Sequence, residues 1–245
     1  MINIVVPMAG RGSRFADAGF ALPKPLILIH NKSLIECVAE NLTPEREHRF
    51  IFICLEEHLR EYALASILRN ISPACEIVTV SQVTEGAACT VLLAKEFINN
   101  RDMLMIANSD QYVSADINEY IAAIGSSDGL IMTMEASHPK WSYIMYDEDG
   151  FVTTVREKEV ISNEATVGIY NFRHGESFVF FAEQMIAKDI RVNGEFYVAP
   201  AYNELIRAGQ RIVYYNIGAE YDGMYGLGIP EDLERFRKLD VSKPF

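Results

Sequence analysis

The stretch INIVVPMAGRGSRF, residues 2–15, changes character at Pro7. Its first part favours a buried β-strand, because branched side chains pack well on a pleated surface. From Pro7 onward the residues suit close backbone approach and positive charge. In a parallel sheet, the loop that follows a strand is the usual place for a ligand. The stretch therefore predicts a sheet protein with a binding loop directly after its first strand.

Strand and helix patterns alternate along the first 110 residues. The apolar segments FIFICL, EIVTV and MLMIA are separated by helix candidates at about 33–42, 59–70 and 87–97. This alternation predicts β-α units with right-handed crossovers and a mostly parallel sheet.

After residue 110 the predicted elements are shorter. GLIMTMEA, SYIMYDEDG, FVTTVREK and TVGIYNF read as strands, with a hairpin turn at DEDG. RIVYYNI is the last predicted strand, and Pro230 begins a final helix. We expect one α/β domain over residues 1–245, whose second half adds a smaller, partly antiparallel lid.

Charge and composition exclude several classes of protein. The net charge is −12, which disfavours a nucleic-acid partner. The apolar runs are too short for a membrane span and no targeting segment is visible, so we expect a cytoplasmic protein. The four cysteines form no CxxC pair and are expected to be reduced structural thiols. Against this acidic background, Arg11, Arg14 and Lys24 suggest a site for a small anion.

The loop at residues 8–14 and the segment LPKPLI, residues 22–27, form the first candidate site. Gly10 and Gly12 allow backbone N–H groups to face a phosphate. Arg14 could clamp phosphate oxygens, and Lys24 could supply a point charge. A surface turn with incidental charge is the alternative. The loop is neither a Walker A motif nor a dinucleotide fingerprint.

These two segments resemble the signature of the sugar-phosphate nucleotidylyltransferases, such as glucose-1-phosphate thymidylyltransferase. The family usually has G-G-x-G-T-R where residues 9–14 read AGRGSR. The resemblance implies a Rossmann-like, mostly parallel mixed sheet flanked by helices, of the nucleotide-diphospho-sugar transferase type. It also implies a nucleotide-binding half (1–111) and an acceptor-binding half (112–245). The loop residues expected around the triphosphate are Met8, Ala9, Gly10, Arg11, Gly12 and Ser13.

The segment QVTEGAA, residues 82–88, follows the strand EIVTV. A glutamine amide can read a base edge, and a glycine lets a base lie against the backbone. An ordinary strand-to-helix turn explains the segment equally well. The resemblance implies that Gln82 and Gly86 contact the base, and Glu85 and Ala87 are expected to bind the nucleotide with them.

Asp110 follows the apolar strand MLMIA within NSDQ, so its carboxylate is expected at the carboxyl edge of the sheet. Capping of the next turn is the alternative. The resemblance implies that Asp110 binds Mg²⁺. The family's second metal-binding aspartate corresponds to Gly226 here. Either Asp222, the nearest carboxylate, reaches the metal, or Asp110 and the substrate phosphates hold it with waters.

Polar and aromatic residues of the second half suit an acceptor that carries hydroxyl groups and a phosphate. A solvated charged face would explain REKE, residues 156–159, by itself. Glu157 and Lys158 resemble the family's E-K-P segment, where glutamate contacts sugar hydroxyls and lysine the sugar phosphate. Trp141 and aromatic neighbours could instead form a box for a cation. The acceptor residues expected are Tyr143, Glu157, Glu195 and Tyr197.

The resemblance implies that a phosphomonoester attacks a nucleoside triphosphate and that pyrophosphate leaves. The residues expected to act in catalysis are Arg14, Lys24, Asp110 and Lys158, with Mg²⁺ as cofactor. A sugar 1-phosphate is the expected acceptor, in surface-polysaccharide biosynthesis. Phosphocholine or another non-sugar phosphomonoester with a cytidine nucleotide is one alternative, and a non-catalytic nucleotide sensor is another. The base and the acceptor stay open, and a homo-oligomer is possible.

Overall fold

The computed structural model describes residues 1–239. Within them the strands are β1 (Ile2–Pro7), β2 (Leu28–Ile29), β3 (Lys32–Ser33), β4 (His48–Leu55), β5 (Glu76–Val80), β6 (Met103–Ala107), β7 (Gln111–Val113), β8 (Gly129–Glu135), β9 (Ser142–Tyr146), β10 (Val152–Glu157), β11 (Glu164–Phe172), β12 (Ile212–Glu220) and β13 (Gly223–Gly226). The helices are α1 (Ser13–Asp17), α2 (Leu34–Asn41), α3 (Glu56–Glu61), α4 (Leu64–Ile71), α5 (Ala87–Leu92), α6 (Lys95–Ile98), α7 (Ile117–Ala122), α8 (Gly175–Ala187), α9 (Ala201–Arg207) and α10 (Pro230–Phe236).

Eleven strands form one sheet that runs through both halves of the chain. Its main order is β5-β4-β1-β6-β11-β8-β12-β13-β7, and the β9–β10 hairpin joins it at β11. Strands β5, β4, β1 and β6 are parallel, so their carboxyl ends share one edge. Strand β11 runs antiparallel to β6 and β8, which makes the sheet mixed. The loop at residues 8–14 and residues 108–110 leave this edge side by side.

Strand β1 is buried on both faces, as its apolar run predicts. Ile4 and Val6 belong to the core on one side of the sheet, and Val5 to the core on the other.

Helix α2 begins with a capping box, in which Ser33 accepts from the Glu36 N–H and Glu36 accepts from the Ser33 N–H. The local sequence thus fixes where this helix begins.

Several predicted elements differ in the structure. The helix expected at about 59–70 is two helices, α3 and α4, because Tyr62 between them is extended. The helix expected at 87–97 is likewise divided into α5 and α6. RIVYYNI is not the last strand, since β13 follows it and pairs antiparallel with β7. Strands β7 and β13 have only three and four residues, which is too short for an alternating apolar and polar pattern to indicate a strand.

All four cysteines are free. Burial raises the pKa of Cys37 to about 11 and that of Cys54 to about 12, which keeps both thiols protonated. Among residues 1–239, no cluster of three or more histidine, cysteine or acidic side chains could hold a metal. No helix in this part of the chain has the length and apolar character needed to cross a bilayer.

Candidate active site

Lys24 and Asp110 meet where the loop after β1 approaches the end of β6. The Lys24 ammonium lies 2.8 Å from Asp110 Oδ2, and the two side chains are 21% and 26% exposed. Pro23 and Pro25 flank the lysine at the start of a 3-10 turn, which fixes its backbone. The structure therefore brings together two of the four predicted catalytic residues.

The basic loop, residues 8–14, is shaped by a left-handed glycine. Gly12 has φ +61°, and an ideal Cβ there would lie 3.2 Å from the Lys24 Cβ. The glycine thus lets the loop pack against the lysine segment. Gly10 has open space around its Cα, and Arg11 and Arg14 are exposed. Met8 and Ala9 are buried beneath the loop.

Three cavities adjoin along the carboxyl edge, and Asn108 lines all of them. The loop cavity, about 220 Å³, reaches Met8, Gly10 and Lys24. The aspartate cavity, about 310 Å³, is lined by Asp110 together with Arg14, Lys140, Gly226, Gly228 and Asp232. The lysine cavity, about 260 Å³, is lined by Glu157, Lys158, Tyr197 and Ala87. One cleft thus joins the basic loop to the predicted acceptor residues.

Asn108 and Gln111 form the middle of this cleft, and sequence reasoning did not single them out. Strand β11 shifts register at Gly168, which has φ +83°. An ideal Cβ on Gly168 would lie 2.2 Å from Asn108 Nδ2 and 2.6 Å from Gln111 Oε1. The glycine makes room for both amides. Both amides belong to the NSDQ motif, and Gly168 begins the G-x-Y motif of β11. The sequence does not show that these two motifs are neighbours, because only the pairing of β11 with β6 brings them together.

The Lys158 cluster consists of Glu157, Lys158, Glu195 and Tyr197. The Lys158 ammonium donates to the Tyr197 hydroxyl at 2.6 Å, and the Lys158 backbone has φ +56°. Ser142 donates a short hydrogen bond to the Glu157 carboxylate. Glu195 is exposed at a tight turn, and its charge acts on the other three side chains. The predicted residues of this group therefore lie together at one end of the cleft.

Burial and neighbouring groups shift the pKa values in the Lys158 cluster in opposite directions. Burial raises the pKa of Glu157 above its ordinary value, while Ser142 and Lys158 work in the opposite direction. The hydrogen bond to Tyr197 raises the pKa of Lys158, so the lysine is a cation throughout the neutral range. The site thus combines a partly desolvated carboxylate with a permanent positive charge.

Tyr143 is not part of the cleft surface. Its side chain is fully buried, and its hydroxyl donates to the His138 carbonyl at 2.8 Å. The prediction that Tyr143 contacts the acceptor is therefore wrong. Its ring is packed inside the protein, and its hydroxyl already has a backbone acceptor. The ring of Trp141 is faced by the Lys140 ammonium at 4.6 Å, and that of Tyr197 by Lys158 at 4.7 Å.

The segment 82–87 packs against the backbone of Phe196. An ideal Cβ on Gly86 would lie 2.4 Å from the Phe196 carbonyl oxygen. The Phe196 N–H donates to the Glu85 carbonyl at 2.8 Å. The glycine is therefore required by residues 195–197, and its contact with a base stays a prediction. Gln82 is exposed beside this contact, and Glu85 pairs with Arg191 at 2.7 Å.

Asp222 does not lie near Asp110. It is exposed in the turn between β12 and β13, while Gly226, four residues later, pairs with Gln111. Four residues of strand span about 13 Å. The expectation that Asp222 shares a metal with Asp110 is therefore corrected, and the second carboxylate of the aspartate cavity is Asp232.

A separate cavity of about 490 Å³ lies behind β7, between the β2–β3 hairpin, α2 and Phe236. It is larger than each part of the cleft, but its charged groups already pair, since the Lys32 ammonium lies 2.6 Å from the Glu40 carboxylate. Burial keeps the Cys37 thiol in this cavity protonated. The chemistry therefore points to the cleft and not to this larger space.

Comparisons with known proteins agree with this geometry. A family model described as nucleotidyl transferase matches residues 4–214. The chain is 24% identical to the bifunctional protein GlmU of Methanococcus maripaludis strain C5, over 95% of this chain and 53% of that protein. It is 23% identical to the UTP–glucose-1-phosphate uridylyltransferase of Bacillus subtilis strain 168, over 89% and 85%. The chain thus spans about half the length of the GlmU protein.

Solved structures share the architecture. The nucleoside-diphosphate-sugar pyrophosphorylase of Vibrio cholerae RC9 superposes with a TM-score of 0.82 at 25% identity, covering 96% of this chain and 100% of that one. A UDP-glucose pyrophosphorylase solved with UDP-glucose gives 0.75 at 20% identity, with 97% of each chain covered. The predicted fold class is confirmed.

Proposed function

Because the chain belongs to the nucleotidyl transferase family, we propose that it joins a nucleoside triphosphate to a sugar 1-phosphate and releases pyrophosphate. The observation that carries this proposal is the continuous cleft. It runs from the basic loop past Asp110 to Lys158, so it offers cations to two phosphorylated substrates at opposite ends. The names of the Bacillus and Vibrio relatives refer to sugar phosphates or nucleotide sugars and favour the same acceptor.

The reaction is an in-line displacement. A phosphate oxygen of the acceptor forms a bond to the α-phosphorus, and the bond from that phosphorus to the bridging oxygen of the β-phosphate breaks. No general base is needed, because a phosphate monoester is a nucleophilic dianion near neutral pH. The main work of the protein is to bring two anions together and to stabilise their charge.

Each cation has a place in this scheme. Arg14 and the N–H groups of the basic loop bind the β- and γ-phosphates. Lys24 neutralises charge near the α-phosphate, and Lys158 holds the acceptor phosphate. The contact between Lys24 and Asp110 keeps both side chains directed at the middle of the cleft before substrates arrive.

Asp110 suits a hard divalent cation. Gly228 has no side chain, and an ideal Cβ there would lie 2.8 Å from Asp110 Oδ2, so glycine lets the carboxylate lie against residue 228 while Oδ2 accepts from Lys24. Magnesium usually binds one or two carboxylates and completes its shell with water and substrate phosphates. When bound by Asp110, Mg²⁺ would supply charge stabilisation to the phosphates.

The acceptor end suits hydroxyl groups better than a quaternary ammonium. Glu157, Asn108 and Gln111 present carboxylate and amide groups to the cleft. Trp141 and Tyr197 could contribute to an aromatic box for choline, but each ring is already faced by a lysine. A second cation there would meet like charge. This arrangement argues against phosphocholine as the acceptor.

A panel of the four nucleoside triphosphates with hexose 1-phosphates and with phosphocholine tests the proposal, with pyrophosphate release as the readout. We expect release with at least one hexose 1-phosphate and none with phosphocholine. Release with phosphocholine alone would overturn the acceptor. Tight nucleotide binding without release in any combination would indicate a nucleotide sensor.

A further inference from the structure

Asp232 lies in the first turn of α10 and directs one carboxylate oxygen at Gly226. Asp232 Oδ2 would lie 3.3 Å from an ideal Cβ on Gly226, and both residues line the aspartate cavity. Its other oxygen, Oδ1, accepts a short hydrogen bond from the Tyr221 hydroxyl. Asp232 forms no ion pair within residues 1–239, so Oδ2 faces the cavity without a cation of the protein.

The segment 226–228 approaches Asp232 with its first residue, Gly226, and Asp110 with its last, Gly228. Gly226 pairs with Gln111, and the Leu227 N–H donates to the Asp110 carbonyl at 2.7 Å. Gly228 makes room for Asp110 Oδ2, which also contacts Lys24, and Gly226 makes room for Asp232 Oδ2. Two glycines therefore open a shared space beside two carboxylates.

Tyr221 holds Asp232 in this position. The tyrosine has φ +67°, a conformation that costs energy for a residue with a side chain. The Arg235 guanidinium lies 3.4 Å from the centre of its ring. Asp232 and Arg235 are one turn apart on α10, so one helix positions the ring and takes its hydrogen bond. Such support of a carboxylate is typical of groups that orient a metal ligand.

Gln111 lies between the aspartate cavity and the lysine cavity, and its side chain is 8% exposed. Its Oε1 is directed at Gly168 of the lysine cavity and has no hydrogen-bond partner within the described residues. A buried amide oxygen without a partner is costly. The cleft beside the two carboxylates therefore retains an unsatisfied polar atom.

We infer that Asp232 is the second protein carboxylate for the divalent cation at Asp110, reaching from α10 into the place that Gly226 leaves open. The inference rests on the proposed function, which supplies the cation. Oxygen donors from two carboxylates, with waters and phosphates, fit the preferences of Mg²⁺. The sequence does not indicate this role, because Asp232 lies six positions after Gly226. Only the folded helix α10 brings its carboxylate next to that glycine.

Binding of Mn²⁺ alone, followed by the electron paramagnetic resonance of the free ion, tests the inference without any turnover. Asp232→Asn keeps the shape and can still accept from Tyr221, so it removes mainly the charge. We expect it to weaken Mn²⁺ binding by at least ~10-fold. Glu231→Gln is the matched control, because it removes a charge from the same exposed helix turn. The control should bind Mn²⁺ like the wild type.

A relocated carboxylate provides the positive test. Gly226 does not have a left-handed φ, so an aspartate fits its backbone once Asp232 has been shortened. The double variant Gly226→Asp with Asp232→Ala should recover most of the affinity that Asp232→Ala loses. Equal Mn²⁺ binding in Asp232→Asn and Glu231→Gln would overturn the inference. If Asp110→Asn also binds Mn²⁺ normally, the metal site of the proposed function fails with it; a loss in Asp110→Asn alone overturns only the role of Asp232.

Discussion

The Lys24 ammonium contacts the Asp110 carboxylate at 2.8 Å, although the two residues are 86 positions apart. The contact links the segment after the basic loop to the end of β6, the two elements that border the middle of the cleft. Both side chains remain partly exposed, so the ion pair contributes about 1 kcal/mol or less to the free energy of unfolding. Substitutions here should therefore affect the reaction far more than the fold.

Asp110→Asn tests this balance. The amide keeps the shape of the side chain and its oxygen can still accept from Lys24, but it carries no charge to stabilise a divalent cation. We expect kcat to fall by at least ~100-fold, the loss typical of a principal electrostatic group. The melting temperature should change little. Full activity of the variant, or of the wild type in excess EDTA, would contradict the metal assignment.

The two arginines of the basic loop should differ. Arg14 lines the aspartate cavity, whereas Arg11 lines none of the three parts of the cleft. Arg14→Ala should weaken nucleoside triphosphate binding by ~1.5–3 kcal/mol, the value of a charge-assisted hydrogen bond. Arg11→Ala is the control for a general loss of charge and should cost less. Calorimetry with nucleotide alone measures both, and equal losses would indicate only long-range attraction.

The parts predicted well from the sequence are those with local signals. The branched residues of β1 and the glycines and cations after Pro7 lie within one short stretch. Asp110 follows an apolar strand, so parallel pairing alone places it at the carboxyl edge. The pairing of Lys24 with Asp110 could not be read locally, since it depends on the path of residues 15–23.

The errors share a different cause. The sequence predicts that Tyr143 contacts the acceptor, but its hydroxyl meets the His138 carbonyl, and Gly86 has a neighbour that the sequence does not indicate, the Phe196 backbone. A sequence does not display such distant partners. Asp222 was chosen for its proximity along the chain to Gly226, whereas the return of α10 brings Asp232 there instead. Tertiary packing decided both outcomes.

Gly86→Ala should destabilise the protein. Gly86 has φ +132°, and a Cβ would overlap the Phe196 backbone, so the strap at residues 195–197 must move. We expect a loss of about 1–3 kcal/mol in the free energy of unfolding, from backbone strain alone. Gly10→Ala is the control, because its Cα faces open space. Urea denaturation compares them, and equal stabilities would contradict the structural role of Gly86.

Glu157 should make stability depend on pH. Burial raises the pKa of its carboxyl group in the folded protein above the unfolded value, so the folded state binds this proton more tightly. That contribution to stability is present below the unfolded pKa and is lost as pH rises through the folded pKa.

Glu157→Gln removes this titration while its amide oxygen still accepts from Ser142. Relative to the wild type, the variant should gain stability as the pH rises from about 4 to 7. Urea denaturation of both proteins across this range measures the difference. A difference that does not vary with pH would show that burial of this carboxylate costs nothing.

Lys158→Ala should damage transfer while leaving nucleotide binding intact. The lysine lies at the far end of the cleft from the basic loop, so only the acceptor phosphate loses its cation. Because the charge interactions of that phosphate change as it attacks, the acceptor KM should rise and kcat should fall together. Tyr197→Phe removes the hydroxyl that accepts from the Lys158 ammonium but keeps the charge. It should raise the acceptor KM with a smaller loss in kcat. Steady-state kinetics with the acceptor that supports turnover gives both constants, and normal kinetics in Lys158→Ala would remove this cluster from the active site.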